Sequence, residues 1–183
     1  MKNFLKVMLP IILLFVTMNL ISQPPGRLTK PFANVQNGTT TWLFDQTDIK
    51  EAFENAWDVT ISDIYLDISN YSYLVMHAMD NSTQEYRTFA VTLETVPNLV
   101  TGGDDIQFEE NGDIPEQKTS QTHSCNGGTA CSFCVLVKNN EGQVEGCDCS
   151  VEEEICGHSV SETVNGKTLY DIFLDIAGIF WPF

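Results

Sequence analysis

The sequence is poor in basic residues, with nine Lys and Arg against 25 Asp and Glu and a formal net charge of −16 at pH 7. A surface of that sign repels phosphate backbones, so the composition argues against nucleic acid as a partner. The sequence also lacks a recognisable nucleophile motif and a spaced pair of catalytic acids. We therefore predict no catalytic residue and no cofactor, and the sequence favours a protein that is not an enzyme.

A hydrophobic run long enough to cross a membrane is also missing. The apolar stretch from Val7 to Ile21 contains Pro10 and is shorter than the ~20 apolar residues that a transmembrane helix needs. It follows Lys2 and Lys6, an order typical of a secretory signal peptide. We predict a signal peptide over residues 1–22 and no transmembrane helix in the mature chain. The mature protein would be secreted or lie in the periplasm or cell envelope, where a protein or surface partner remains to be identified.

Residues 23–118 are predicted to form a helix and an antiparallel sheet. Residues 23–44 are interpreted as an irregular leader. In the stretch DQTDIKEAFENAWDV, the side chains of Ile49, Phe53 and Trp57 fall on one stripe of a helix. Asp48 is the predicted N-cap of that helix, since Glu51 follows it three residues later as in a capping box.

Three stretches of alternating apolar and polar residues follow, and they predict an antiparallel meander in which Met79 pairs with Tyr86. This pairing places one apolar set on the face that the helix would cover: Leu74, Met76, Ala78, Phe89, Val91 and Leu93. The other face is also apolar, so we expect another segment of the chain to cover it. His77 lies on that second face, where we predict a half-buried histidine with a local hydrogen bond. Residues 97–122 are interpreted as an acidic, turn-rich connector.

Residues 119–160 form a cysteine-rich segment that holds all six cysteines and two of the three histidines. An even number of cysteines in an exported chain indicates disulfides. The stretch FCVLVKNNEGQVEGCDC predicts a β-hairpin with a short turn centred on Asn140 and Glu141. That register sets Cys125 opposite Cys156 and Cys134 opposite Cys147, while Cys131 and Cys149 miss it by one position. We therefore predict a nested set of bonds: Cys125 with Cys156, Cys131 with Cys149, and Cys134 with Cys147. A bond between Cys131 and Cys134 is the main alternative.

The same segment is also compatible with metal or redox chemistry that uses the cysteines. One possible quartet of ligands for tetrahedral zinc consists of His123, Cys125, Cys156 and His158. A second quartet, similar to a zinc ribbon, consists of Cys131, Cys134, Cys147 and Cys149. An oxidising compartment favours disulfides over both quartets, because it removes the thiolates that bind the metal.

The ten residues CNGGTACSFC resemble the cluster loop of vertebrate-type ferredoxins, which hold a two-iron, two-sulfur cluster. By position, the resemblance implies Cys125, Cys131 and Cys134 as ligands. Phe133 and Val135 depart from the family pattern, and the fourth ligand should lie farther along the chain than Cys147. The resemblance is therefore interpreted as coincidental.

Residues 161–183 are predicted to form a C-terminal helical tail packed on the core, because the stretch GKTLYDIFLDIAGIFWPF is apolar except for a narrow acidic stripe. The predicted fold class is α+β: a helix packed on an antiparallel meander, followed by a disulfide-stapled β-hairpin and a C-terminal helix. The predicted function is that of an exported, non-enzymatic, cysteine-rich module with a structural or interaction role. The alternative is a metal-binding (zinc or iron–sulfur) or redox protein that uses the same cysteines.

Overall fold

The structure is a computed structural model that describes residues 31–108, 120–128, 131, 133–150, 156–161, 163–164, 167–168 and 172. These residues contain one helix and mostly antiparallel sheet. The elements in chain order are β1 Ala33–Gln36, β2 Thr39–Trp42, α1 Gln46–Trp57, β3 Val59–Ile68, β4 Ser72–Asp80, β5 Tyr86–Asn98, β6 Gly103–Phe108, β7 Thr122–Asn126, β8 Cys134–Lys138, β9 Val144–Cys149, β10 Gly157–Ser161, β11 Thr163–Val164 and β12 Lys167–Thr168. Within this part of the chain, no helix is both long and apolar enough to span a membrane.

Helix α1 begins earlier than the sequence predicted. Its N-cap is Asp45, whose side chain accepts a hydrogen bond from the backbone N–H of Thr47 at 2.8 Å. The prediction of Asp48 as the cap was wrong, because Asp45 already satisfies a free N–H and leaves Asp48 inside the first turn. An acid in that turn still interacts favourably with the positive end of the helix dipole. The predicted stripe is confirmed: Ile49, Phe53 and Trp57 are all buried.

Strands β3, β4 and β5 form the predicted antiparallel meander, and the pairing of Met79 with Tyr86 is confirmed. A bulge between Ile61 and Asp63 interrupts the pairing of β3 with β4. One face of the meander contributes to a large buried cluster that also contains apolar residues of α1. Within this cluster the rings of Trp57 and Phe89 have centroids 4.5 Å apart.

Strand β5 joins the meander to the rest of the sheet. Leu93 pairs with Ser72 of β4 and with Phe108 of β6, so β4 and β6 lie on opposite edges of β5. Strand β7 pairs with the first half of β5, on the same edge as β6, and there Val91 faces Thr122. From these two strands the sheet continues as two branches, β6 to β1 to β2 and β7 to β10.

The sequence analysis did not predict the first of these branches, β6 to β1 to β2. The leader contains the β1–β2 hairpin, and the acidic connector contains β6. Strand β6 accommodates its charge because the carboxylate of Asp105 accepts hydrogen bonds from the side-chain amides of Asn34 and Asn98, each at 2.9 Å. Its apolar residues, Ile106 and Phe108, are buried in the main cluster.

The tail is described only in part. Strands β11 and β12 pair with each other, and Ile172 is helical and fully buried in the main cluster. The prediction that the helical tail begins at residue 161 was wrong, because Ser161 ends β10 and the next described residues form β11 and β12. Apart from Ile172, the predicted C-terminal helix after β12 lies outside the described residues.

Candidate functional site

The β8–β9 hairpin covers the second apolar face of the meander. Val144 and Leu136 of the hairpin pack with Tyr73, Val75 and Ala90 of β4 and β5. The expectation that a segment of the chain covers this face is confirmed, and the covering segment is the cysteine-rich one. The six cysteines, the two histidines of β7 and β10 and this hairpin together form the candidate site.

Polar contacts anchor the hairpin at three points. The hydroxyl of Thr88 donates to the carbonyl oxygen of Cys134 at 2.7 Å. The hydroxyl of Tyr73 accepts from a backbone N–H of β9 at 3.0 Å, and Lys138 Nζ forms an ion pair of 2.6 Å with Asp67. The sequence analysis predicted an apolar second face and gave no role to the hydroxyls of Tyr73 and Thr88, which lie on it. These roles could have been predicted from the general rule that buried hydroxyls almost always have a hydrogen-bond partner.

The loop of the hairpin differs from the short turn that the sequence predicted. It spans residues 139–143, and Lys138 pairs with Val144. The side-chain oxygen of Asn139 accepts from the backbone N–H groups of Glu141 and Gln143, each at 3.0 Å, which closes this longer loop. A bulge at the start of the ladder shifts the register again. Leu136 therefore lies opposite Cys147, and Cys134 lies opposite Cys149.

All six cysteines are disulfide-bonded, in the pairs Cys125–Cys147, Cys131–Cys149 and Cys134–Cys156. The structure contains the Cys131–Cys149 pair of the nested set. The other two predicted pairs, Cys125–Cys156 and Cys134–Cys147, were wrong, as was the alternative bond between Cys131 and Cys134.

The reason is the face of the hairpin on which its cysteines lie. Cys134, Cys147 and Cys149 share a face with Leu136, which packs on the main sheet, so the bonds run to cysteines outside the ladder instead of across it. Cys125 lies on β7 and Cys156 directly precedes β10. The bonded cysteines are 22, 18 and 22 residues apart along the chain. Loops of that size correspond to a stabilisation of about 3 kcal/mol per bond on the chain-entropy model.

The disulfides form a compact buried cluster. The sulfurs of Cys131 and Cys156, which belong to different bonds, are 3.5 Å apart, and both residues are buried. Gly127 makes this packing possible. A Cβ at position 127 would lie 2.5 Å from the carbonyl oxygen of Cys131 and 3.0 Å from the sulfur of Cys134. Buried disulfides of this kind are shielded from attack by solvent thiolates.

The disulfides remove the cysteines from the predicted sets of metal ligands. In both quartets and in the ferredoxin-like triad, every cysteine is bonded to another cysteine, so none offers a thiolate. The histidines His123 and His158 are the members of these sets whose ligand atoms stay available.

The structure brings these two histidines together. His158 faces Cys125 across the β7–β10 ladder and His123 faces Val160, so the histidines are diagonal neighbours and not the directly opposite pair that the sequence predicted. Nδ1 of His123 and Nε2 of His158 are 3.2 Å apart, and the ring planes lie within 6° of parallel. In the neutral pair, the N–H of one ring donates to the lone pair of the other. Burial, and secondly the charge of His158, lower the pKa of His123.

His77 has the local hydrogen bond that the sequence predicted. Its Nδ1 lies 3.0 Å from the hydroxyl oxygen of Thr88. Because that hydroxyl gives its hydrogen to Cys134, Nδ1 must carry a proton and donate it to Thr88. The ring lies between Phe133 and Tyr65, with centroids 4.5 and 5.8 Å away. Burial lowers the pKa of His77.

Comparisons of the chain with protein-family models, with curated proteins and with solved structures find no match. The stapled hairpin and the histidine pair are the features from which a function is proposed.

Proposed function

We propose that the chain is an exported, non-enzymatic module whose stapled hairpin presents a rigid surface to a partner in the cell envelope or extracellular space. The observation that carries the proposal is the bonding of all six cysteines in three disulfides. Such bonds persist in oxidising compartments outside the cytosol. Removal of residues 1–22 as a signal peptide would deliver the chain to such a compartment.

In this proposal the scaffold is a helix on an antiparallel meander, with a helical tail that follows β12. The meander supports the hairpin from below, and the disulfides prevent the hairpin from lifting away. A surface held in this way loses little conformational entropy when a partner binds.

The surface offered to the partner is the outer face of β8. Val135 and Val137 of β8 alternate with the inward-facing Leu136, and their relative exposures are 39% and 36%. Val135 faces Asp148 across the hairpin, and Val137 faces Gly146. An apolar strip with an acidic edge fits a protein surface better than a nucleic acid, and the net charge of the chain has the same implication.

Export can be tested with the full chain and with a variant that lacks residues 1–22, each carrying a C-terminal tag. We expect the full chain outside the cytoplasm, without its leader and lighter than its reduced form by six hydrogens. The variant should remain in the cytoplasm with free thiols. An exported chain that keeps its leader, or one with six free thiols, would contradict the proposal.

The interaction surface can be tested by photo-crosslinking in the native host. A photoreactive amino acid replaces Val135 in one variant and Thr40, an exposed residue of β2, in the control. We expect a discrete adduct from position 135 and none from position 40. Equal adducts from both positions, or none from position 135, would count against the hairpin as the interaction surface and leave the export result unaffected.

A further inference from the structure

Two ring nitrogens of the histidine pair have the separation of two ligands of one metal ion. In tetrahedral zinc sites the zinc–nitrogen distance is ~2.0–2.1 Å, which places two nitrogen ligands about 3.3 Å apart. Nδ1 of His123 and Nε2 of His158 are 3.2 Å apart. We propose that His123 and His158 form a two-histidine site for a divalent transition-metal ion, with zinc as the first candidate.

The disulfides hold both ligands in place. His123 lies two residues before Cys125, and His158 lies two residues after Cys156. Each of these cysteines is bonded to the hairpin, to Cys147 and to Cys134 respectively. The strands that carry the histidines also pair with each other from residue 122 to residue 126 of β7. A ligand pair anchored in this way needs little reorganisation to bind a metal ion.

When the metal ion binds, its bonds to the two ring nitrogens replace the hydrogen bond between the rings. In the metal-free pair, one ring nitrogen donates its hydrogen to the other. For both nitrogens to bind the ion, that hydrogen moves to the far nitrogen of the same imidazole, and the rings tilt so that the two lone pairs converge. The histidines stay neutral in this exchange, and no oxidant or reductant is involved.

The remaining coordination positions are open. Within the described residues, no third histidine, cysteine or acidic side chain converges on the pair. His158 lies on an exposed strand, so an ion can enter from solvent. Two imidazoles with open positions favour zinc, copper or nickel over calcium and magnesium, which prefer oxygen ligands.

The proposal does not depend on the proposed function and has a direct test. The oxidised protein, with its three disulfides verified by mass, is titrated with zinc alone at pH 7.5 and followed by calorimetry and by imidazole nitrogen NMR. We expect one zinc per chain, with shifts at His123 and His158 but not at His77. Substitution His158→Asn should weaken zinc binding at least tenfold, whereas His77→Asn, which changes the one histidine outside the pair, should leave it unchanged.

His158→Asn is the chosen variant because His123 is buried and its replacement risks misfolding. The disulfide mass and melting temperature of the zinc-free variant confirm its fold, and the wild-type NMR shifts test the site independently. Zinc binding that persists in His158→Asn, or no histidine shift at millimolar zinc, would overturn the proposal.

Discussion

The hydroxyl of Tyr73 accepts a hydrogen bond of 3.0 Å from the backbone N–H of Val144, a residue 71 positions away in the chain. The two residues belong to different sheets and are both buried in the cluster between them. The bond satisfies a backbone N–H that would otherwise be buried without a partner. It is one of the three polar contacts by which the main sheet positions the hairpin.

Substitution Tyr73→Phe removes this hydroxyl and leaves the ring. We expect the free energy of unfolding to fall by about 1–3 kcal/mol, because the N–H of Val144 stays buried without its acceptor. Urea unfolding of the oxidised protein measures the change. Tyr86→Phe is the matched control, since Tyr86 is 44% exposed and should lose less than about 0.5 kcal/mol. Equal losses in the two variants would contradict the role of Tyr73 as an anchor.

Gly127→Ala should disturb the disulfide cluster. The added Cβ would clash with the backbone oxygen of Cys131 at 2.5 Å, which a rotamer change cannot relieve. We expect a loss of about 1–3 kcal/mol and a lower yield of correctly bonded protein. Gly146→Ala is the control, because a Cβ there meets no atom within 4 Å. A Gly127→Ala variant as stable as Gly146→Ala would show that the packing around Cys131 is looser than described.

Asp80 should stabilise the turn after β4 in a pH-dependent way. Its Oδ1 accepts from the backbone N–H groups of Ser82 and Thr83, each at 2.9 Å, and its Oδ2 pairs with Arg87. Hydrogen bonds from Ser82 and Thr83, with the charge of Arg87 as a smaller cause, lower the pKa of Asp80 to about 2. Because the folded-state pKa is depressed, the stabilisation is present above pH 3.8 and is lost as the pH falls towards 2.

The variant Asp80→Asn should therefore lose about 1–2 kcal/mol at pH 6, and its difference from the wild type should narrow as the pH falls below 4. Unfolding curves at several pH values measure this difference. The control Asp104→Asn removes a charge from an exposed residue of β6 and should lose less stability at pH 6. A deficit in Asp80→Asn that does not change with pH would contradict the assigned pKa shift.

His77 should make the fold less stable in mild acid. Burial lowers its pKa from the usual 6.5, and the nearby charge of Asp63 opposes this only in part. The stabilisation from neutral His77 is complete above pH 6.5 and is lost as the pH falls through the lower folded-state pKa. We expect an NMR titration to place the pKa of His77 below 6.5, and His77→Gln to reduce the loss of stability between pH 7.5 and 5. A pKa above 6.5 would contradict the burial of this ring.

The sequence predicted the meander because its signal is local. The alternation from Ser62 to Val96 fixes which side chains share a face, and a turn of known length then fixes the pairing of Met79 with Tyr86. The stripe of α1 was predictable for the same reason. Strand β6 was not, because its acidic residues are typical of a solvated loop, and the amide of Asn34 that accommodates Asp105 comes from a distant part of the chain.

The disulfide pattern shows the limit of local reasoning at the candidate site. The cysteine spacing is nearly symmetric about the turn, which favoured bonds within one hairpin. The actual loop is longer and the ladder contains a bulge, so the register moved. More importantly, the symmetry gave no information about the sheet beneath, and two of the three bonds depend on where β7 and β10 lie in that sheet. The closeness of His123 and His158 was predictable, but their diagonal placement depends on the register of β7 against β10.

The central claim is that disulfides join the hairpin to the segments beneath it. Partial reduction with cyanylation, followed by peptide mass mapping of the exported chain, tests this directly. The method distinguishes a bond of Cys147 from a bond of Cys149 without cleavage of the chain at Asp148, the residue between them. The result that we predict is the set Cys125–Cys147, Cys131–Cys149 and Cys134–Cys156. The pairs Cys125–Cys156 and Cys134–Cys147, or any free thiol in the exported protein, would contradict it.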